Sequence, residues 1–321
     1  MRVIATFLSA LILSVAVPAA AQSNYPDKPV RIIVTFVAGS ATDITARIVA
    51  QRLQETWGVP VTVENIPGAG GAVGAERLAK AAPDGSTLGW LANGALTIVP
   101  ALQTNLSYDP TRDFAPVSQV VSMASILAVN NGVPAKSLQD LVALARQQPG
   151  KLSYASPGVG TPQHIGGELL KSMAGIDVVH VPYRGAQMED VMGGRVAMTL
   201  QNMAAILPLV RDGRLRGLAV TSLNRSPVIA ELPTVAESGY PGFEATSWFA
   251  LVAPAGTPAP IVAKLHRDVT RLAAQDEMRE RFAKLGLDTV AGPPGELAGI
   301  IKADIAKWAK VIADAGIKGG E

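Results

Sequence analysis

The chain has few side chains suited to bond-making chemistry, and they are dispersed. Its histidines are His164, His180 and His266, and it contains no cysteine. No HExxH, GxSxG or Walker lysine motif is present, so zinc hydrolysis, a nucleophile elbow, thiol chemistry and P-loop phosphoryl transfer all lack their residues. The histidines do not pair at helical spacing, so neither a metal site nor a cofactor is expected. His164 sits at a loop-helix junction, as a ligand donor or a helix-stabilising group. His180, inside the apolar run "VVHVPY", reads as a satisfied core or cleft histidine, and His266 is expected to face solvent from an amphipathic helix.

The chemistry that remains is binding. The stretch "FVAGSATD", residues 36–43, follows "VRIIVT" and leads into the helical pattern "ITARIVAQRLQETW". Around Ala38, Gly39, Ser40 and Ala41 small side chains leave backbone N–H groups able to face a guest, and Thr42 or Asp43 can cap the helix. An anion there would be held by N–H dipoles and the helix field without any Lys or Arg. An ordinary capped turn is the competing reading of the same residues.

A second loop, in "YASPGVGTPQHIGGELL", repeats the arrangement. Gly158 and Gly160 are followed by Gln163 where a dinucleotide fingerprint requires its third glycine, but the Thr161 hydroxyl and nearby N–H groups suit a carboxylate. A third glycine-rich segment, "NIPGAGGAVGAERLAKAAPDG", has one residue too many between Gly70 and Gly74 for that fingerprint. It reads as a packing turn bordering the same cleft.

The elements that must position these loops follow from periodicity. Short β-branched runs ("VRIIVTF", "VPVTVEN", "STLGWLA", "SILAVN", "KLSYAS", "VVHVPY", "RVAMTL", "LRGLAVTS") alternate with helical patterns over residues 42–57, 71–82, 138–146, 163–174 and 204–211. That alternation predicts an α/β fold with a mostly parallel sheet in each of two lobes. Two long extended runs, residues 114–130 and 243–254, read as crossings between lobes. The expected layout is lobe 1 from residues 22–124 and 246–321, lobe 2 from 125–245, and a ligand cleft between them. Trp248, on the second crossing, either lines that cleft or packs the seam.

Arg2, the apolar "VIATFLSALILSVAV" and the small-residue "PAAAQ" form the pattern of a signal peptide over residues 1–21. With no cysteine for a lipid anchor, the mature protein is expected to move freely in a periplasm. A formal net charge of +2, without a Lys/Arg run, offers no footprint for nucleic acid or an anionic membrane.

Taken together, "YPDKPVRIIVTFVAGSATDITAR", "VENIPGAGGAVGAERLAKAAPDGSTL", "YASPGVGTPQHIGGELLKSMAGIDVVHVPYRGA" and "LRGLAVTSLNRSPVIAELPTVAESGYPGFEATSWFALVAPAGTP" resemble the Bug family of periplasmic solute-binding proteins, the receptors of tripartite tricarboxylate transporters. The resemblance spans nearly the whole mature chain. It implies a two-lobe flytrap that captures a small carboxylate, as a monomer without cofactor, and delivers it to a membrane permease. It also implies that residues 36–43 and 157–164 hold the ligand carboxylate through N–H groups and water. The implied ligand set is Phe36, Ala38, Gly39, Ser40, Ala41, Thr42, Asp43, Asn93, Pro157, Gly158, Gly160, Thr161, His164, Arg184 and Gln201. Against the family pattern, Thr35 replaces a Pro, Ser40 a Gly and Gln201 an acidic residue, and the turn after "YRGA" is shorter. A secreted α/β hydrolase using His164, and a receptor presenting its closed form to a sensor protein, are the alternatives.

Overall fold

A computed structural model describes residues 25–103, 105–183 and 187–317. The expected signal peptide, Arg184 and the tail 318–321 lie outside the described residues. The strands are β1 Val30–Val34, β2 Val61–Asn65, β3 Thr87–Ala92, β4 Phe114–Met123, β5 Ser125–Val129, β6 Ser153–Ser156, β7 Val179–Pro182, β8 Met198–Asn202, β9 Arg216–Val220, β10 Ser247–Pro254 and β11 Asp288–Thr289. The helices are α1 Ala41–Trp57, α2 Ala72–Ala79, α3 Val99–Leu102, α4 Leu138–Gln147, α5 Pro162–Ala174, α6 Gln187–Met192, α7 Met203–Arg211, α8 Ala259–Ala273, α9 Asp276–Lys284 and α10 Pro294–Asp314. A π-helical turn, Gly94–Ile98, leads into α3.

The strands form two sheets, ordered β11-β4-β10-β3-β1-β2 and β7-β6-β8-β5-β9. Both are mixed, which corrects the expectation of mostly parallel sheets. Pairs β1·β2, β1·β3, β6·β7 and β6·β8 are parallel, because helices return the chain across the sheet. Strands β10 and β5 pair antiparallel with both their neighbours, since they belong to the segments that run between the sheets in opposite senses. Strands β3 and β10 are buried along their whole length, which is why they read as unbroken apolar runs.

The two extended runs are the crossings. Only Ala124 separates β4, in the first sheet, from β5, in the second. On the return, Ala245 N–H donates to the Thr221 carbonyl at 3.0 Å before β10 begins. Helix α8 packs on β4 and α1, as a chain returning to the first sheet must. Helix α10 goes further: Leu297 and Ile301 join the first sheet's core, whereas Trp308, Val311 and Ile312 are buried against residues of the second. At 1.5 Å per residue its 21 residues span about 31 Å, more than one sheet's helix layer needs. None of the described helices is long and apolar enough to cross a membrane.

Candidate functional site

The first loop ends in a helix cap made by Ser40, whose hydroxyl accepts from Asp43 N–H at 3.2 Å. This corrects the expectation that Thr42 or Asp43 caps. Thr42 and Asp43 are both buried in the first turn of the helix. The Asp43 carboxylate takes Gly39 N–H at 2.9 Å, Arg47 Nε at 2.9 Å and Asn65 Nδ2 at 2.9 Å. Burial alone would raise that carboxyl, but the hydrogen bonds from Arg47, Gly39 and Asn65 outweigh it and hold it below the usual range. Gly39 is at φ +80°, a conformation that favours glycine. With Gly39 N–H consumed, the N–H groups of Ala41 and Thr42 in the first turn of α1 are among those of the loop without an acceptor among the described residues. Phe36 is half-buried against the core, and its carbonyl accepts from Asn65; Ala38 is exposed.

Gly39, Ser40 and Ala41 line a cavity of about 320 Å³ whose opposite wall is Gln201, Asn202, Ala204 and Ala205, with Leu285 and Leu287 at its side. Helix α7 begins there without any side-chain cap. Met203 N–H goes to the Ala124 carbonyl at 3.1 Å, whereas those of Ala204 and Ala205 have no acceptor among the described residues. Two helix N-termini, one from each sheet, therefore meet across one space. Each adds a partial positive charge from unpaired N–H groups. Gln201 turns its Oε1 to Asn202 N–H at 2.8 Å, and the neighbour of its Nε2 is the Met188 sulfur at 4.0 Å.

The second loop lies elsewhere. Residues 157–160 line a larger cavity of about 490 Å³ with Gly70, Val99, Leu102 and Tyr183, so the glycine-rich "NIPGAGG" segment does border the cleft. Its donors are largely spent internally. Gly158 N–H goes to Ser156 Oγ at 3.2 Å, Gly160 N–H to His164 Nδ1 at 3.3 Å and Thr161 N–H to the Gly158 carbonyl at 3.4 Å. The Thr161 hydroxyl donates to the Gly158 carbonyl at 2.7 Å and accepts from His164 N–H at 3.3 Å. This hydroxyl is a helix cap and not a free ligand group. In the smaller cavity the first loop faces the start of α7, which follows β8 beside the crossing strand β5, while β6 is one strand farther out.

Between the cavities Gln163 Nε2 bonds Asn202 Oδ1, Ser247 Oγ at 3.1 Å and Ser125 Oγ at 3.3 Å, tying the second lobe to both crossings. Asn93 is fully buried and serves the crossing as well. Its Nδ2 donates to the Thr246 carbonyl at 3.0 Å and its Oδ1 accepts from Trp248 N–H at 3.4 Å. Trp248 packs the seam, with its indole N–H on Asp304 of α10 at 3.2 Å. Asn202, Gln163, Ala204 and Ala205 escaped the sequence reading. The "QN" before an apolar helix was the available signal, as a helix start whose side chain does not cap it.

His164 and His180 stack with ring centroids 4.1 Å apart, and Ser156 Oγ is 2.7 Å from His180 Nε2. Burial pushes both imidazoles down to about 4, so they are neutral at pH 7. Ser156 is fully buried and accepts from Gly158 N–H, so the Ser156–His180 pair holds the loop and presents no nucleophile. His266 is half-buried, not solvent-facing, and its Nδ1 has no partner among the described residues. No group of three His, Cys, Asp or Glu residues suited to a metal occurs among the described residues.

A two-lobe α/β protein whose cleft offers helix N-termini, and whose cavity walls carry no charged side chain, is built as a solute-binding protein. The comparisons make this specific. The model of the tripartite tricarboxylate transporter family receptor matches residues 45–317, and the chain belongs to that family. It is a family of substrate-binding receptors, which removes the hydrolase alternative. The chain is 36% identical to protein BugT of Bordetella pertussis over 307 residues, 95% of this chain and 94% of that one. The structure of R. palustris Rpa4515 with adipate matches with a TM-score of 0.83 and 35% identity, covering 92% of this chain and 99% of that chain. MatC from Rhodopseudomonas palustris with bound malate matches with a TM-score of 0.79 and 32% identity, covering 90% and 100%.

Proposed function

We propose that the protein is an exported periplasmic receptor that captures a small carboxylate between its lobes and delivers it to the membrane permease of a tripartite tricarboxylate transporter. The observation that carries the ligand class is the meeting of the α1 and α7 N-termini across the smaller cavity, with the N–H groups of Ala41, Ala204 and Ala205 unpaired among the described residues. A carboxylate there replaces water as acceptor for several aligned donors. Gln201 Nε2, with only a thioether beside it, supplies a further donor.

The walls of neither cavity include an Asp or Glu, and Asp43 is buried and paired with Arg47. An α-ammonium group would be desolvated there without a partner, at a cost of several kcal/mol. The ligands are therefore plain di- or tricarboxylates or aromatic acids, in preference to free amino acids. The adipate and malate in structures of relatives are of this kind.

Ligand-free protein titrated by calorimetry with succinate, malate, adipate, citrate, a benzene dicarboxylate, aspartate and glutamate tests this. The best carboxylate, at 100 times its dissociation constant, should also stabilise the fold by about 2.7 kcal/mol. No response to any of these acids would reject the function, and tightest binding to an amino acid would reject the ligand class.

A further inference from the structure

The smaller cavity meets its guest with dipoles alone, and the field of a dipole falls off faster with distance than that of a charge. Attraction of an anion from solution must then come from charges outside the cavity. One groove has them. It lies between the outer face of α1 and the end of α9, has a volume of about 390 Å³, and is lined by Ile44, Arg47, Gln51, Arg281, Lys284 and Leu285, among others. Ile44 and Leu285 also line the smaller cavity, so the groove adjoins its mouth.

Arg47 is paired with Asp43, and those two charges cancel. Arg281 and Lys284 are exposed and make no ion pair among the described residues. Opposing carboxylates are Glu277, paired with Arg52, and Glu280, both on α9 and one turn before Arg281 and Lys284 respectively, and Glu55 on α1, one turn beyond Gln51. Glu55 is held in its charged form chiefly by Arg52, with Arg281 a minor contributor. Basic residues in the last turn of α9 also suit that helix's dipole. That accounts for their charge but not for their place beside the mouth of a cavity without charges. In a chain of net charge +2 they are not part of a general basic surface.

We propose that this groove is an outer capture site for small carboxylate anions, dianions above monoanions. Arg281 and Lys284 gather the ligand at the mouth and set its association rate, while the inner N–H groups set its residence time. The proposal rests on the carboxylate reading of the inner cavity.

Stopped-flow kinetics test it with the tightest binder among succinate, malate, adipate and citrate, at ionic strengths of about 10 and 200 mM. The variant Arg281→Gln/Lys284→Gln should associate roughly 3- to 10-fold more slowly at low salt, with its dissociation rate within about twofold of the parent. The parent's association rate should fall toward the variant's as salt rises. Arg225→Gln, which removes an exposed, paired charge in the second lobe, should leave association unchanged. An unaltered association rate in the double variant overturns the proposal, as does a rise in dissociation alone, which would make the groove part of the bound state. An equal loss from Arg225→Gln also overturns it, by reducing the effect to net charge. If none of the four acids binds the parent protein, the underlying reading fails and this one with it.

Discussion

His164 and His180 show how a pair of titratable side chains can serve a binding loop without touching chemistry. Both are neutral because burial disfavours the imidazolium, and His164 must be neutral for its Nδ1 to accept Gly160 N–H. Their folded values of about 4 lie below the ordinary 6.5, so between those values the unfolded chain binds more protons than the folded one. Stability is fully present above pH 6.5 and declines as pH falls from 6.5 toward 4. Asp43, with a depressed carboxyl, adds a further loss only below its ordinary value of 3.8. Denaturant titrations at pH 7, 6, 5 and 4.5 should therefore show a falling midpoint. His180→Phe, which keeps an aromatic ring but removes one of the two protons at issue, should flatten that slope by about half. An unchanged slope would mean that these imidazoles are not the groups that titrate.

Among the elements, α7 starts at the smaller cavity without a side-chain cap, as α2, α3, α8, α9 and α10 also start uncapped, whereas α1, α4 and α5 are capped by Ser40, Ser137 and Thr161. In the proposed site, a cap on α7 would place an oxygen where the ligand's would sit. This predicts effects of opposite sign from one substitution. Ala205→Asp puts a carboxylate on an exposed position in the first turn of α7, facing the cavity. It should stabilise the ligand-free protein by about 0.3–1 kcal/mol through the helix dipole, and weaken carboxylate binding by at least roughly tenfold through like-charge repulsion and competition for N–H groups. Calorimetry and denaturant unfolding on the same preparation separate the two. Retained affinity would show that α7 is not the anion's seat.

For the molecule as a whole, two crossings and one long helix decide how the lobes are joined. The crossings carry the Asn93 and Gln163 hydrogen bonds, and α10 buries one end in each lobe's core. Trp308, 2% exposed, is the largest side chain that α10 commits to the second lobe. Trp308→Ala should cost about 3–5 kcal/mol of unfolding free energy. Because the helix body stays on the first lobe, the variant should still fold. A cost under about 1 kcal/mol, read from the denaturant midpoint, would mean that the end of α10 is not a structural link between the lobes.

All eight β-branched runs and all five helical patterns are elements of the fold, because each is written in local periodicity and bounded by glycine, proline or a cap. The crossings were equally plain, since a long extended run with no turn has to leave its sheet. The family resemblance also rests on linear order alone. What tertiary structure decided was which of these pieces face one another. Residues 36–43 were legible as an anion-suited loop, but that the start of α7 lines the same cavity as Gly39, Ser40 and Ala41, while residues 157–160 line the larger one, was not. Side-chain availability was likewise hidden: Thr161, Asn93 and the Gly39 N–H are consumed by Gly158, β10 and Asp43. Local pattern encodes the turn each residue belongs to. Whether a donor is left over for a guest depends on neighbours up to 155 positions away in the chain, as for Asn93 and Trp248, and only the folded arrangement brings those together.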